Sequence, residues 1–462
     1  LNSHPHIAII GGGITGLAAA LFLGRQGHRV TLLEREARAV SSDLDGDFVA
    51  WNRPSTPQAL QPHLLRAPIR NVLRAAAPDV YAELLSLGAT EHHDLAAFGP
   101  SLPEDVDLVT LRARRILLEA ALSRAVQAEP TVTLRTDTPV TGLLTNPGEV
   151  PRVTGVRTAA GDITADLTLD AAGRRSHVHR WLAAAGARPP VTELQRTGIA
   201  YFCRWYRIDQ TKPYTEPPRT GCLTPYVAFG VFPADNGCFA LAVSISVEDP
   251  TRTALRDPEV YDAAARLFPS GAAWLALPHQ PVSDVQIMAG LPNLWTALHD
   301  DQGPQVHGLL SIGDSAIHTN PTLGQGISLA ILAADWLARQ DPVDPGLPTA
   351  YHQFRVDTLR PWFDTQVGID RARQDQVRDA LRGVPDVPAP LERSALSFCA
   401  EQDIVVARAR AQVAQMLRTP PQAYATPEIQ DRVGAWLRAN PEFTGPPPGP
   451  SRELWEQTVG RG

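Results

Sequence analysis

Gly11, Gly13 and Gly16 stand in a Gly-x-Gly-x-x-Gly spacing, and the acid Glu34 closes the next apolar run. Each residue type has a chemical use. A glycine at 11 permits a tight turn, one at 13 lets the backbone approach a pyrophosphate, and one at 16 lets a helix sit close to a strand. The N–H groups and positive end of that helix favour phosphate oxygens, and the Glu34 carboxylate can accept hydrogen bonds from ribose hydroxyls. The set predicts an adenine dinucleotide and does not choose between NAD and FAD. Other chemistry has little support in the sequence. No Ser-His-Asp or paired-carboxylate constellation is evident, and Lys212 is the only lysine, which removes most candidates for a Schiff base. Cys203, Cys222, Cys238 and Cys399 are widely spaced with no Cys-x-x-Cys, so neither a metal site nor a disulfide framework is indicated. We therefore expect no side-chain catalyst and no metal.

The elements that must position these residues follow from periodicity. The β-branched run 6–10, the glycine turn, the helical stretch 17–23 and the run 29–33 read as strand, turn, helix, strand. Further on, 198–208, 225–232 and 238–245 read as strands, and the turn sequence 233–237 predicts that the last two pair as a hairpin. Period-two geometry puts Tyr201, Cys203 and Trp205 on one face of that sheet, with Phe202, Arg204 and Tyr206 on the other. One face should cover the cofactor and line an apolar substrate pocket, and the sequence leaves open which. Residues 351–382 and 391–417 are helical in pattern, and the Pro-rich 445–450 is stiff and non-helical.

A second motif lies some 300 residues after the first: an apolar strand at 309–312, then Gly313-Asp314, then Pro321-Thr-Leu-Gly324-Gln325-Gly326 opening a helix. With Arg115 at the start of the stretch 115–122 and the segment Asp170-Ala-Ala-Gly173-Arg-Arg-Ser176, this resembles the FAD-dependent (group A) flavoprotein monooxygenases with the para-hydroxybenzoate hydroxylase fold. The segments 51–58, 61–63, 314–321, 361–363 and 370–371 resemble a less characterised bacterial branch of these enzymes. The resemblance implies an α/β fold, with a discontinuous Rossmann-like FAD domain (1–60, 105–185, 295–345), an inserted antiparallel-sheet substrate domain (61–104, 186–294) and a helical C-terminal region (346–462). It implies noncovalent FAD held by Gly11, Gly13, Ile14, Thr15, Gly16, Glu34, Arg35, Arg53, Arg115, Val140, Asp314, Pro321, Gly324, Gln325 and Gly326. In the family the aspartate of the second motif holds the ribitol, and the proline and glycines set a helix start against the isoalloxazine. Ala172 departs from the family, standing where many members carry the aspartate of the middle motif; Asp170 lies two residues earlier. His63, Tyr201, Trp205 and Phe232 are the substrate-contact candidates.

The expected activity is NAD(P)H- and O2-dependent hydroxylation or epoxidation of an apolar, aromatic or alkene-containing small molecule through a C4a-hydroperoxyflavin. The alternatives are an FAD reductase or dehydrogenase without oxygen insertion, and a non-catalytic FAD-binding protein. A halogenase would need a Trp-x-Trp-x-Ile-Pro segment and an active-site lysine, and neither is found. Composition narrows the partners: 44% hydrophobic and 20% charged residues describe a folded chain, and acids outnumber bases by 49 − 42 = 7 with no basic run. Nucleic acid is therefore not expected. No stretch approaches the roughly 20 apolar residues of a membrane span, so a cytoplasmic protein is expected, with a homodimer left open.

Overall fold

The computed structural model describes residues 4–37, 41–50, 53–100, 102–384 and 390–460, so Trp51 and Asn52 of the quoted motif lie outside the described residues. Its central element is a five-stranded parallel sheet in the order Leu309–Ser311, Leu167–Asp170, His6–Ile10, Arg29–Leu33, Val132–Arg135. Four of the strands are buried on both faces, as a parallel sheet favours, while the edge strand Val132–Arg135 leaves Thr133 and Arg135 exposed. Period two sorts their side chains. Ile7, Ile9, Val30, Leu32, Leu167 and Leu169 pack with the helices Ile14–Arg25, Arg115–Ala128 and Gly326–Ala338. Ala8, Ile10, Leu33 and Leu309 pack instead under a three-stranded antiparallel sheet (Val140–Asn146, Arg152–Thr158, Gly161–Thr164). All five parallel strands end toward one edge, where ligands of such sheets bind.

The inserted region forms a second sheet of six antiparallel strands. The strands Val227–Pro233 and Cys238–Ser246 pair as a hairpin, with Val231 opposite Leu241 and Phe232 opposite Ala240. Ile199–Ile208 lies beside them, pairing Phe202 with Val243. The sheet's orientation follows from its two faces. Cys203, Trp205, Cys238 and Ala240 join the core shared with the parallel-sheet region, whereas Phe202, Tyr206, Phe239 and Leu241 pack against Tyr261, Phe268 and Trp274. Trp455, from the helix Arg452–Val459 just past the Pro-rich segment, is fully buried in that outer cluster. The C-terminal chain therefore returns to clamp the far side of the sheet.

Ionic ties fix the hairpin tip to the helices of the parallel sheet. Arg114, at the N-terminus of Arg115–Ala128, donates its backbone N–H to Asp235 (2.6 Å) and its guanidinium to the same carboxylate (2.6 and 3.0 Å). Both side chains are essentially inaccessible, at 1% and 0% exposure. The rest of the C-terminal region is helical. Leu347–Phe354 runs through a π turn (Arg355–Leu359) into Arg360–Leu381, and buried Arg355 lies over the Trp295 ring and donates to the Thr296 carbonyl. Among the described residues no helix is long and apolar enough to cross a membrane.

Candidate active site

The first strand ends at Ile10, and the chain turns at Gly11 with φ +103°, a conformation costly for any other residue. A Cβ at Gly11 would stand 2.6 Å from the Ala171 carbonyl oxygen, and one at Gly16 only 1.8 Å from the Gly11 carbonyl oxygen. These two glycines are required by the chain's own packing. Gly13 differs: nothing lies within 4 Å of a Cβ built there, because the position opens onto a cavity of about 410 Å³. The helix Ile14–Arg25 begins there with no side-chain cap and no acid in its first turn. Its first N–H groups have no partner within the helix, and its dipole favours an anion in the cavity. Glu34 is held in place at the same rim: its carboxylate accepts the N–H of Gly12 (2.6 Å) and of Glu36 (2.8 Å). About half its lone-pair sites remain for a ligand.

The second motif arrives at the same cavity from the adjoining strand. Gly313, at φ +63°, sits so close to Thr15 that a Cβ would stand 2.5 Å from its hydroxyl, and the two glycine motifs thereby touch. Asp314 follows on the cavity wall, and Pro321, Gly324, Gln325 and Gly326 line it further along. The chain forms a short 3-10 turn at Pro321–Leu323, passes through a left-handed residue at Gly324 (φ +61°) and enters the helix Gly326–Ala338. That helix start also lacks a side-chain cap and first-turn acids. Gln325 Oε1 and Thr319 Oγ1 are buried on the wall with no hydrogen-bond partner among the described residues. Two capless helix starts, an open glycine, a fixed acid and orphaned polar atoms around one long cavity fit a dinucleotide with a polar ring system. FAD fits the residues present.

A polar network holds the second turn in place. Asn320 is fully buried; its N–H donates to Asn293 Oδ1 (2.7 Å), and its Oδ1 accepts from the Tyr201 hydroxyl and the Thr322 N–H. Asn293 donates in turn to Asp370 Oδ2 (2.7 Å), which also accepts from Gln366 (2.8 Å), while Thr322 donates to Asp370 Oδ1 (3.2 Å). Asp370 is 1% exposed, and burial raises its pKa above the usual carboxylate range, with the surrounding donors opposing the rise. The C-terminal helix Arg360–Leu381 thus braces the turn through side chains. Asp170, at the end of a central strand, does similar work behind Asp314: it accepts from Ala172 N–H (3.1 Å) and Ser176 Oγ (2.8 Å), and burial pushes its pKa to about 6.

The cavity wall gathers Gly11, Gly13, Ile14, Thr15, Glu34, Arg35, Arg115, Val140, Asp314, Pro321, Gly324, Gln325 and Gly326, together with His63. Gly16 supports the turn from behind. Arg53 is not on this wall: it is 9% exposed, and its guanidinium is drawn to Glu119 and Thr56 (3.3 Å). Glu119 also takes Arg115 Nε at 2.7 Å, so the carboxylate that orients Arg115 holds Arg53 inward. The neighbouring residues Ser55, Thr56, Pro57 and Gln58 reach the cavity instead.

Tyr201, Trp205 and Phe232 are also off the wall. Tyr201 is committed to the Asn320 network, and Trp205, 2% exposed, donates Nε1 to the Leu60 carbonyl (2.7 Å) and packs edge-on to Phe48. Met288 and Leu291, from the strand Gln286–Ala289 and its exit, supply apolar wall in their stead. A Cβ at Gly326 meets nothing closer than 3.9 Å. Its backbone does not demand glycine; any need for it arises only when the cavity is filled. His63 makes an Nδ1 hydrogen bond with the Gln61 carbonyl (2.8 Å), and burial next to Arg115 pushes its pKa down to about 3. It is a neutral imidazole that donates from Nδ1.

Residues 6–97 match the FAD dependent oxidoreductase (DAO) family. The chain is an FAD-dependent oxidoreductase. The oxidoreductase is 28% identical over 345 residues to 6-methylpretetramide 4-monooxygenase of Streptomyces rimosus, covering 71% of this chain and 73% of that one. It is 25% identical over 365 residues to Protein Rv3254 of Mycobacterium tuberculosis, covering 73% of each. Its fold is that of p-nitrophenol 4-monooxygenase PnpA from Pseudomonas putida DLL-E4, with a TM-score of 0.63, 16% identity, and coverage of 90% of this chain and 99% of that one. The oxidoreductase thus has the fold of the para-hydroxybenzoate hydroxylase group of flavoprotein monooxygenases.

Proposed function

We propose that the oxidoreductase is a single-component monooxygenase that uses NAD(P)H and O2 to hydroxylate or epoxidise an apolar, aromatic or alkene-containing small molecule. The balance is substrate + O2 + NAD(P)H + H⁺ giving oxygenated substrate + H2O + NAD(P)⁺. Bound FAD supplies the electron store and the activation of dioxygen, which protein side chains cannot provide. The residues around it bind, orient and exclude water. The start of helix Ile14–Arg25 and Glu34 hold the phosphate and ribose end, and Asp314 holds the chain that leads to the ring. N–H groups at the uncapped start of helix Gly326–Ala338 would offer donors to the bound ring system and stabilise negative charge gained on reduction. Leu64, Met288, Leu291 and Pro321 give the wall an apolar part, which keeps water from competing for the activated oxygen. His63, neutral and oriented by Gln61, can position a substrate donor without adding charge.

The observation that carries this reading is the meeting of both glycine turns on one cavity, with an uncapped helix start after each turn. The names of the relatives support oxygen insertion in particular. The test is reductant consumption and product analysis under ¹⁸O2, with FAD-loaded protein and a panel of phenols and polycyclic aromatics. The reading expects substrate-stimulated NAD(P)H oxidation and one ¹⁸O atom in the product. A product formed without ¹⁸O would favour a reductase or dehydrogenase.

A further inference from the structure

Beside the braced turn lies a group of arginines that the cofactor reading does not use. His92, on the strand Thr90–His93, has a guanidinium at each ring nitrogen: Arg112 Nη2 is 2.8 Å from Nδ1, and Arg219 Nη2 is 2.5 Å from Nε2. Burial and the two arginines push the pKa of His92 down to about 4, so the ring is neutral. A neutral imidazole has one acceptor nitrogen and one N–H. Both arginine contacts therefore cannot be hydrogen bonds, and one of them sets N–H against N–H.

The same group lacks acceptors elsewhere. Arg112 Nε and Arg66 Nε are buried with no partner among the described residues. Arg66, Arg219 and Arg410 lie around Asp94, and burial raises the carboxyl pKa of Asp94 even so. Glu216, the other carboxylate, takes Arg112 Nη1 at 2.7 Å and stands 3.8 Å from Arg219. Four guanidiniums thus face two carboxylates, one of them driven toward its neutral form. Arg66 ties the group to the cavity, since its Nη2 donates to the carbonyl of Leu323, the residue before Gly324 on the cavity wall. His92, Arg66, Arg112 and Arg219 are each half-buried, so part of every side chain keeps surface open to solvent although the Nε atoms of Arg66 and Arg112 are covered.

We propose that Arg66, Arg112 and Arg219, arranged around His92, form a recognition site for a carboxylate of the substrate. A carboxylate offers two oxygens and about four lone pairs, which suits guanidinium N–H groups that the neighbouring acceptors leave unpaired. With one seated, one arginine turns from the imidazole N–H to the carboxylate and the donor–donor contact is relieved. The inference deepens the monooxygenase reading and rests on it, because it places one end of the substrate beside the turn that would face the flavin.

The test is calorimetric binding of 1-naphthoate and of its neutral analogue 1-naphthamide to the FAD-loaded protein, which requires no turnover. The expected result is naphthoate at least tenfold tighter than naphthamide. That preference should fall about tenfold in Arg219→Gln, fall less in Arg219→Lys, and persist in Glu216→Gln. Circular dichroism and flavin absorbance of each variant report whether the fold and the cofactor site survive. Equal affinity for the two probes, no binding of naphthoate, or a preference that survives both Arg219→Gln and Arg66→Gln in folded protein overturns the proposal. If the preference holds and no ¹⁸O enters any product, the recognition site stands and the monooxygenase reading fails. If ¹⁸O enters a product and the preference is absent, the reverse is true.

Discussion

Replacing Asp170 by asparagine should change how the stability of the oxidoreductase depends on pH, by an amount the structure specifies. The carboxyl is fully buried, burial being the main cause that takes its pKa from 3.8 to about 6, and its partners are neutral: Ala172 N–H, Ser176 and Ser311. A folded-state pKa above the unfolded one means that the native protein holds the proton more tightly. The stabilisation from that proton is complete below pH 3.8 and disappears as pH rises through about 6. The difference of about 2 pKa units corresponds to roughly 3 kcal/mol. Asparagine keeps an acceptor for Ala172, can donate to the serine hydroxyls and does not ionise. Asp170→Asn should therefore gain about 3 kcal/mol relative to the parent between acid and neutral pH, most of it between pH 4 and pH 6. The assay is urea unfolding of both proteins at saturating FAD, in half-unit pH steps, read as the difference between the two curves. A difference that stays flat across that window, or that slopes the other way, refutes the burial argument for Asp170.

Three further outcomes follow from the same geometry. Glu34→Gln should weaken FAD roughly 10- to 100-fold by fluorescence titration, because charge-assisted ribose hydrogen bonds contribute about 1.5–3 kcal/mol; unchanged affinity would remove Glu34 from the cofactor site. Asp235→Ala leaves the Arg114 guanidinium buried, with exposed Asp45 as its remaining carboxylate among the described residues, and should cost about 3–5 kcal/mol in urea denaturation; a loss under 1 kcal/mol would show that the hairpin tip is not held by this pair. Gly324→Ala should lower flavin affinity and thermal stability together, since alanine is strained at φ +61° and its Cβ would press on Leu64 at 3.0 Å, whereas Gly326→Ala should leave the stability of the FAD-free protein unchanged. Equal apo stabilities for the two variants would refute this distinction.

What the sequence makes legible is local. The Gly11 turn, the hairpin at 233–237 and the helix opening at Gly326 each rest on a few adjacent residues whose types restrict the backbone. The meeting of Gly313 with Thr15 could be expected only through the resemblance, because no local signal joins two turns so far apart. Arg53 and Tyr201 show where the reading stops. Both are polar or aromatic residues in the right segments, yet Glu119 draws one inward and Asn320 engages the other, and those partners come from distant elements. Met288 and Leu291 carry no motif; they reach the wall because their strand pairs with Ile199–Ile208, a register that sequence alone does not fix. Asp370 is similar, an acid in a helical pattern whose role depends on the turn that helix packs against.

In the proposed function two distant glycine turns build one FAD cradle, the first holding the adenosine diphosphate end and the second holding the flavin end. Calorimetric titration of FAD and of ADP into FAD-free protein separates them. Glu34→Gln should weaken both ligands, whereas Asp314→Ala should weaken FAD at least tenfold and leave ADP unchanged. If Asp314→Ala changes neither ligand, or weakens ADP as much as FAD, the second turn does not hold the flavin end.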